Sequence, residues 1–450
     1  MKTQPDVIVI GGGLGGLLVG CEIKRRGGHV LVLEAATGPG GVAATVREAG
    51  FVLEPAAGSL LLPHRQLTPI LESAGATVVS AAAAARRRYV YDRGRLFELA
   101  GPRALASGLV SASGKLRLAR EPWVGPRPDG PDESLAGFLR RRLGDEIGRL
   151  GATLMAHGVF AGDPEVLSAR AAFPALVALE HDAGSLVRGG IARMRARPKG
   201  TPRAGVHIAP FGMTGLAAEL AGHLGDDFWP EWSVTSVRRD GRQWIVAGPQ
   251  ELRAPSVVVA VAPAAAARLV PSPLAAVLSE ATAAPVAVVG LGGRSADVPA
   301  PMGFGALVGP DADVHTLGLL FESSYAPDRA PSRHRLLKSI FGGGADPAVL
   351  TRTDAELVEL AVEEAGRILG IAIQPSWTRV VRHSPGIPQY RLGHPAWLDR
   401  LEAAGQTGLH LAGWAYRGIG VSSLAQQAVR VADACLPVPE GAGVRSGVAS

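Results

Sequence analysis

Two cysteines, Cys21 and Cys435, are all that the 450 residues contain, and there is no CxxC pair or Cys/His cluster. This scarcity excludes a disulfide framework, argues against a zinc or other metal site, and suits a reducing cytoplasm. Long apolar runs are also missing. No uninterrupted stretch approaches the roughly 18 residues of a membrane span, which leaves a soluble or peripheral protein. Met1-Lys2 leads almost directly into an apolar strand, so no signal peptide is expected. Internal repeats are absent. Acidic residues are missing from 183–205, where Arg188, Arg193, Arg195, Arg197, Lys199 and Arg203 stand, and this segment equals the whole net charge of +6. One reading is a solvated, partly disordered basic loop, supported by Pro198, Gly200 and Pro202. The other is contact with anionic lipid headgroups, each basic residue adding about 1 kcal/mol. Nucleic acid is disfavoured because no aromatic residues interleave with these arginines.

What is present points to several domains of about 100–200 residues each, since 47% of the residues are apolar. Val7–Ile10 reads as a buried parallel strand, followed by a glycine-rich turn, a helix to Arg26 and a second strand from His29 to Leu33. From 101 to 200 the texture is helical, with Leu135–Leu150 and Pro174–Leu186 amphipathic and Asp132 or Ser134 as caps. Strand character returns at Trp244–Val246, Val257–Val261, Pro285–Leu291 and Leu317–Phe321. Ala355–Leu369 is an amphipathic helix. A strand at Leu409–Leu411, a glycine-rich loop and a helix from about Ser422 to Cys435 repeat the opening pattern, and the tail after Pro437 is expected to be disordered.

Gly11, Gly13 and Gly16 spell G-x-G-x-x-G between a strand and a helix. The first permits the tight turn, the second lets backbone approach a pyrophosphate, and the third lets helix pack on strand. The pyrophosphate then meets free N–H groups at a helix N-terminus. Glu34 closes the second strand, where a carboxylate accepts ribose hydroxyls and repels a 2′-phosphate. Gly40-Gly41 resembles the second glycine pair of many FAD enzymes. The strand-loop-helix around Gly413 and Gly418–Val421 resembles the element that closes their flavin site, where a helix dipole favours the negative charge of reduced flavin.

Further stretches are similar, in order and over nearly the whole chain, to the protoporphyrinogen oxidase family and its coproporphyrinogen-oxidising relatives. They are Arg88-Tyr89-Val90-Tyr91 with Gly94 and Leu96, Asp132–Leu135, His157–Pro164, Leu167-Ser168, Phe173-Pro174, Gly303–Gly305, Ile387–Tyr390 with Gly393-His394, and Gly413–Val421. The resemblance implies an α/β architecture. A discontinuous Rossmann-type FAD domain takes 1–80, 205–265 and 405–440, and a mixed-sheet substrate domain takes 81–100 and 266–404. A helical membrane-associating domain takes 101–204, and 441–450 is the disordered tail. Expected FAD contacts are Gly11, Gly13, Leu14, Gly15, Gly16, Glu34, Gly40, Gly41, Val237, Gly413, Gly420 and Val421. Expected substrate contacts are Arg88, pairing with a propionate, Gly158 and Val159 through backbone, and Phe304 and Leu307 beside the macrocycle. No catalytic acid or base is expected, because the cofactor carries the chemistry. His157 and His394 are read as packing or hydrogen-bonding residues.

The implied reaction is oxidation of protoporphyrinogen IX, ahead of coproporphyrinogen III. Hydride leaves a methylene bridge for flavin, and dioxygen reoxidises the flavin to give hydrogen peroxide. Partners would be the porphyrinogen, dioxygen and, peripherally, the cytoplasmic face of a membrane; a homodimer is compatible, since oligomeric state is not readable. The chain departs from the family around the flavin. Gly38 replaces an arginine, Ala56-Ala57 replace Gly-Pro after Glu54-Pro55, and Ser422-Ser423-Leu424 replace Asn-Asp-Cys. Losing that Asp removes about 0.3–1 kcal/mol of helix-terminus stabilisation, although serine can still cap. These departures keep open a weakened tetrapyrrole-binding paralogue, and the shared framework keeps open an amine oxidase or desaturase.

Overall fold

Val7–Ile10 (β1) is a run of four buried apolar residues, the pattern of a strand covered on both faces. In the computed structural model, which describes residues 4–99, 107–127, 130–198, 200 and 202–436, β1 is the middle of a parallel sheet. Val30–Leu33 (β2) flanks it on one side and Ser256–Val259 on the other, with Val7 opposite both Val30 and Ser256. Phe228–Trp229 and Leu409–Leu411 add the outer strands, also parallel, so distant pieces of chain share one five-stranded sheet. Leu14–Arg25 (α1) joins β1 to β2 and packs on one face with Gly212–Leu224 and Val421–Cys435. Leu274, Leu278, Trp397 and Leu401 fill the core on the other face, carried by Leu274–Leu278 and His394–Ala404. Both helices lie within the stretch 266–404 expected for the substrate unit, yet they pack on the five-stranded sheet. The strand expected at Val257–Val261 ends at Val259, and Pro263 opens the helix Pro263–Leu269 four residues later.

A second sheet has seven strands in the order Trp377–Pro388, Ala283–Arg294, His334–Gly342, Gly318–Leu320, Gly305–Val308, Tyr89–Asp92 and Arg95–Glu98. It is antiparallel except where Gly305–Val308 runs beside Tyr89–Asp92. The helix Asp354–Leu369, started by a Thr353/Glu356 capping box, fills its core through Leu357, Ala361, Ala365 and Ile368.

Between 107 and 198 the regular elements are helices, with three differences from the sequence reading. The expected helix Leu135–Leu150 breaks at Gly144, whose φ of 83° lets Leu135–Leu143 fold against Asp145–Phe160. The expected Pro174–Leu186 ends at Ala183, because Gly184 turns left-handed. The basic segment is not a disordered loop: Leu186–Ala196 is a helix carrying Arg188, Arg193 and Arg195. Its order comes from afar. The buried carboxylate of Glu121 accepts from Ser185 Oγ (2.5 Å) and from the amides of Leu186 (2.9 Å) and Val187 (3.1 Å), placing negative charge at a helix N-terminus. Lys199 and the expected tail 441–450 lie outside the described residues. Of the expected caps, Ser134 caps Leu135–Leu143, while Asp132 accepts from Ser168 Oγ (2.6 Å) and Gly393 N (2.8 Å).

Arg142, fully buried, completes this hub by donating to Glu121 (Nε, 2.8 Å) and to the carbonyls of Val124 (2.9 Å) and Gly184 (3.0 Å). Removing one member of a buried pair strands the other charge. Arg142→Met is therefore expected to cost about 3–5 kcal/mol, read as a lower denaturant midpoint with the helical segment becoming protease-sensitive.

Candidate functional site

A cleft of about 1300 Å³ opens where β1 gives way to α1. Gly11, Gly13, Leu14, Gly15, Glu34, Gly40, Gly41 and Gly413 all line it. The glycines differ in what they do. A Cβ on Gly16 would fall 1.9 Å from the carbonyl oxygen of Gly11, so this residue sits behind the turn and lets α1 close on β1. A Cβ on Gly13 would meet nothing within 4 Å, so its backbone faces open space. Gly13 also begins α1 with no side-chain cap, which leaves the first amides of the helix free for an anion. Glu34 is fixed by amides, accepting from Gly12 N (2.6 Å) and Ala36 N (2.8 Å).

The far wall comes from the C-terminal strand-loop-helix. Gly420 (φ 104°) precedes the helix Val421–Cys435 and Leu424 reaches the cleft, while Val421 packs in the core with Leu14. No serine caps this helix as expected. Gly420 takes the cap position, and Ser423 Oγ turns back to the carbonyl of Ile419 (3.4 Å). Val237 is placed away from the cleft wall: its strand Ser236–Asp240 belongs to an antiparallel meander and its side chain is buried in the core with Ile8 and Leu31. A dinucleotide fits this arrangement. The cradle is open where backbone N–H groups point, and polar atoms remain unspent beside it. Gln427 Oε1 accepts from Gly413 N (3.1 Å), but Gln427 Nε2 and Trp414 Nε1 are buried without a partner among the described residues.

The Ile387–Tyr390 and Gly393-His394 stretch forms the cleft's third wall, and Tyr390 is the residue whose importance sequence reading missed. Its buried hydroxyl donates to Trp414 O (2.5 Å) and accepts from Gly418 N (2.7 Å). Burial pushes this phenol well above its ordinary range, so it stays protonated. Gln389 Nε2 donates to Phe160 O (2.8 Å), joining the wall to the end of helix Asp145–Phe160. Among the described residues, no group of three or more His, Cys, Asp and Glu side chains could hold a metal.

The expected substrate residues gather beside the second sheet, not among the residues that line the cleft. Arg88 is exposed, with its guanidinium 5.3 Å over the Phe304 ring and no carboxylate partner among the described residues. Gly158 faces Leu307, whose side chain would stand 3.2 Å from a Cβ there, and Val159 is exposed. Phe304 stacks on Tyr325 (4.5 Å, 25°), and Arg329 lies 5.4 Å over the other ring. Below them is a buried charge network that sequence reading also missed. Glu322 is paired with Arg329 and with Lys338 (2.6 Å), while Lys338 donates to Glu54 O (2.8 Å). Burial would raise the Glu322 carboxyl, but Arg329 and Lys338 outweigh it and hold it low. Burial wins at Glu54, which is raised despite Arg329. A lone lysine in the apolar strand His334–Gly342 was the available signal.

His157 and His394 are hydrogen-bonded to carbonyls. His157 Nδ1 lies 3.2 Å from Val308 O and His394 Nε2 lies 3.0 Å from Tyr416 O. Burial lowers the proton affinity of both.

Two tests follow. Gly13→Ala is expected to keep the folded circular dichroism spectrum and the melting temperature of the flavin-free protein yet fail to hold flavin, because its methyl would occupy the anion's approach. Gly16→Ala meets backbone and should lose fold and flavin together, as read by flavin absorbance alongside circular dichroism. For His394, the unfolded chain binds the proton first as pH falls through about 6.5. Its contribution to stability is thus present above that pH and lost below it. His394→Asn should flatten the fall of the melting temperature between about pH 7.5 and 5.5; an unchanged slope would contradict a buried neutral imidazole.

Comparison with known proteins agrees with this geometry. The family model of flavin containing amine oxidoreductases matches residues 14–436. The chain is 30% identical to rice chloroplastic protoporphyrinogen oxidase over 93% of its own length and 86% of that protein. It is 30% identical to human protoporphyrinogen oxidase (92% and 95%) and 25% identical to coproporphyrinogen III oxidase of Bacillus subtilis (94% and 96%). In fold it is similar to cyclohexylamine oxidase from Brevibacterium oxydans, with a TM-score of 0.68 at 20% identity over 95% of this chain and 99% of that one. The cleft with its glycine cradle thus lies in a member of the flavin-containing amine oxidoreductase family, within the group that holds the protoporphyrinogen oxidases, and its cofactor is FAD.

Proposed function

We propose that this protein oxidises a porphyrinogen to the corresponding porphyrin, with protoporphyrinogen IX preferred to coproporphyrinogen III. The observation that carries the reading is Arg88. A guanidinium with no carboxylate of its own stands over an aromatic ring beside an apolar wall, which suits a flat, largely apolar molecule with a carboxylate at its edge. The names of the relatives support the same substrate class.

Bound FAD supplies the acceptor for the hydride that leaves a methylene-bridge carbon in each two-electron step, and dioxygen takes the electrons onward to hydrogen peroxide. Holding that group falls to the amides at the start of α1, with Glu34 toward the ribose and the N-terminus of Val421–Cys435 favouring negative charge nearby. On the substrate side, Arg88 orients the molecule through its carboxylate, while Phe304 and Leu307 offer apolar surface against which Gly158 leaves room. His157 is committed to Val308 O, so the pyrrole proton is assigned to solvent. Catalysis here is positioning more than proton transfer.

Peripheral membrane contact on the cytoplasmic side belongs to the same proposal. Among the described residues no helix is long and apolar enough to cross a membrane. Met194 (72% exposed) and Ile191 nevertheless share a helix with Arg188, Arg193 and Arg195, and the turn Glu121–Trp123 that packs on this helix carries the exposed Trp123, a mixture that suits an anionic lipid surface.

Anaerobic mixing of the purified holoprotein with protoporphyrinogen IX tests the reading. Flavin absorbance should bleach as porphyrin fluorescence rises, and coproporphyrinogen III run in parallel ranks the substrates. A flavin that neither tetrapyrrole bleaches, but an alkylamine does, would replace this reading with amine oxidation. Arg88→Ala should raise KM about tenfold or more with little change in kcat, the signature of lost uniform binding, and Arg88→Lys should recover part of it.

A further inference from the structure

A cleft that holds a dinucleotide must neutralise a diphosphate, and cations are scarce in this one. From Gly11 to Ala43 the lining residues include no cationic side chain, and the one charge among them is that of Glu34. Cations line the opposite wall, but most are already committed. Arg382 donates to Asp354 Oδ1 (2.8 Å) and to the carbonyls of Leu350 (2.9 Å) and Arg352 (2.6 Å). Arg400 is paired with Glu280. His383 lies 3.1 Å from Pro55 O, and His394 is bound to Tyr416 O. Arg391 differs. It lines the same cleft, is exposed, and its guanidinium has no partner among the described residues.

Its backbone, in contrast, is pinned on every side. Arg391 N donates to Gln389 O (3.0 Å), its carbonyl accepts from His394 N (2.9 Å), and Leu392 N donates to Val166 O (2.9 Å). Tyr390 before it is locked by the two bonds of its hydroxyl. A side chain on so fixed a stem loses less freedom on binding than one on a mobile loop. A guanidinium also presents parallel N–H groups that match an oxyanion.

We propose that Arg391 is the anion anchor of the cleft and that its guanidinium binds an oxyanion of the molecules held there. That oxyanion is either the diphosphate of FAD or a carboxylate of the substrate. The second source rests on the porphyrinogen reading; the first does not.

Arg391→Ala and Arg391→Lys holoproteins test the assignment, with circular dichroism as the check on folding. FAD release on dilution is followed by flavin fluorescence at several salt concentrations, and KM for protoporphyrinogen IX is measured with FAD saturating. If the diphosphate is the partner, Arg391→Ala weakens FAD retention about tenfold, the difference shrinks as salt rises, and KM holds. If a carboxylate is the partner, FAD retention holds and KM rises about tenfold with kcat kept. Arg391→Lys falls between wild type and Arg391→Ala in either case. Retention and KM both within about twofold of wild type would overturn the proposal. Should the wild-type protein not turn over porphyrinogen at all, that reading fails separately. FAD retention then decides Arg391 alone, an unchanged value overturning it.

Discussion

The hydroxyl of Tyr390 sits where the parts of the chain that make the cleft meet, and their mutual position depends on it. It accepts from Gly418 N and donates to Trp414 O, tying the loop between Leu409–Leu411 and Val421–Cys435 to the end of the seven-stranded sheet. Its own carbonyl accepts from Ser168 N (2.8 Å), its ring packs on Phe160 (5.2 Å), and His394 stacks on its face (4.1 Å). Each neutral hydrogen bond contributes only about 0.5–1.5 kcal/mol. The arrangement matters more than that sum, since without the phenol a half-buried amide and a half-buried carbonyl would both lose their partner. The five-stranded sheet, the seven-stranded sheet and the helical segment are thus tied to one another through one side chain beside the cofactor site.

The charges under Phe304 follow a related logic. Glu322, Arg329 and Lys338 are almost wholly removed from water, and Glu54 is too. Such groups are a weak source of net stability, because desolvation offsets their attraction. What they provide is geometry. Arg329 lies over Tyr325, Tyr325 stacks on Phe304, and Arg88 lies over Phe304, so the arrangement runs from a buried ion network to an exposed guanidinium. Arg329 also donates to the carbonyl of Gly58, in the segment that includes Ala56-Ala57. The surface around Phe304 and the segment that ends at Gly58 therefore share one rigid support, and shifting either would break a buried contact.

How much of this was legible in the sequence depended on how local the cause is. The β1–α1–β2 unit and the strand Leu409–Leu411 follow from short apolar runs and glycine spacing, and the structure contains them nearly residue for residue. The helix breaks at Gly144 and Gly184 were missed because apolar periodicity continues through a residue that turns the chain. The order of Leu186–Ala196 could not be read from its arginines, since the group that caps it is Glu121, 65 residues upstream of Leu186. Asp132 has the composition of a cap, but its partners are Ser168 and, 261 residues away, Gly393. In the site, the glycine cradle was legible because its chemistry is backbone chemistry tied to a turn. The roles of Tyr390, Glu322 and Arg329 were not, because they exist only once separate sheets are brought together.

The same division bears on the positions where the family resemblance led one to expect other residues. Gly38, Ala56-Ala57 and Ser422-Ser423 bear on such a site through their side chains, whereas the cradle is made of amides near Gly11–Gly16 and a helix terminus at Gly420. Backbone donors do not change with residue identity as long as the turn closes, and closure is set by Gly16, where even one methyl would meet the Gly11 carbonyl. Glu34 is likewise held by two backbone amides. Recognition of the oxidised molecule has no such protection. In the proposed reading it rests on the side chains of Arg88, Phe304 and Leu307, and side chains, unlike backbone amides, change with residue identity.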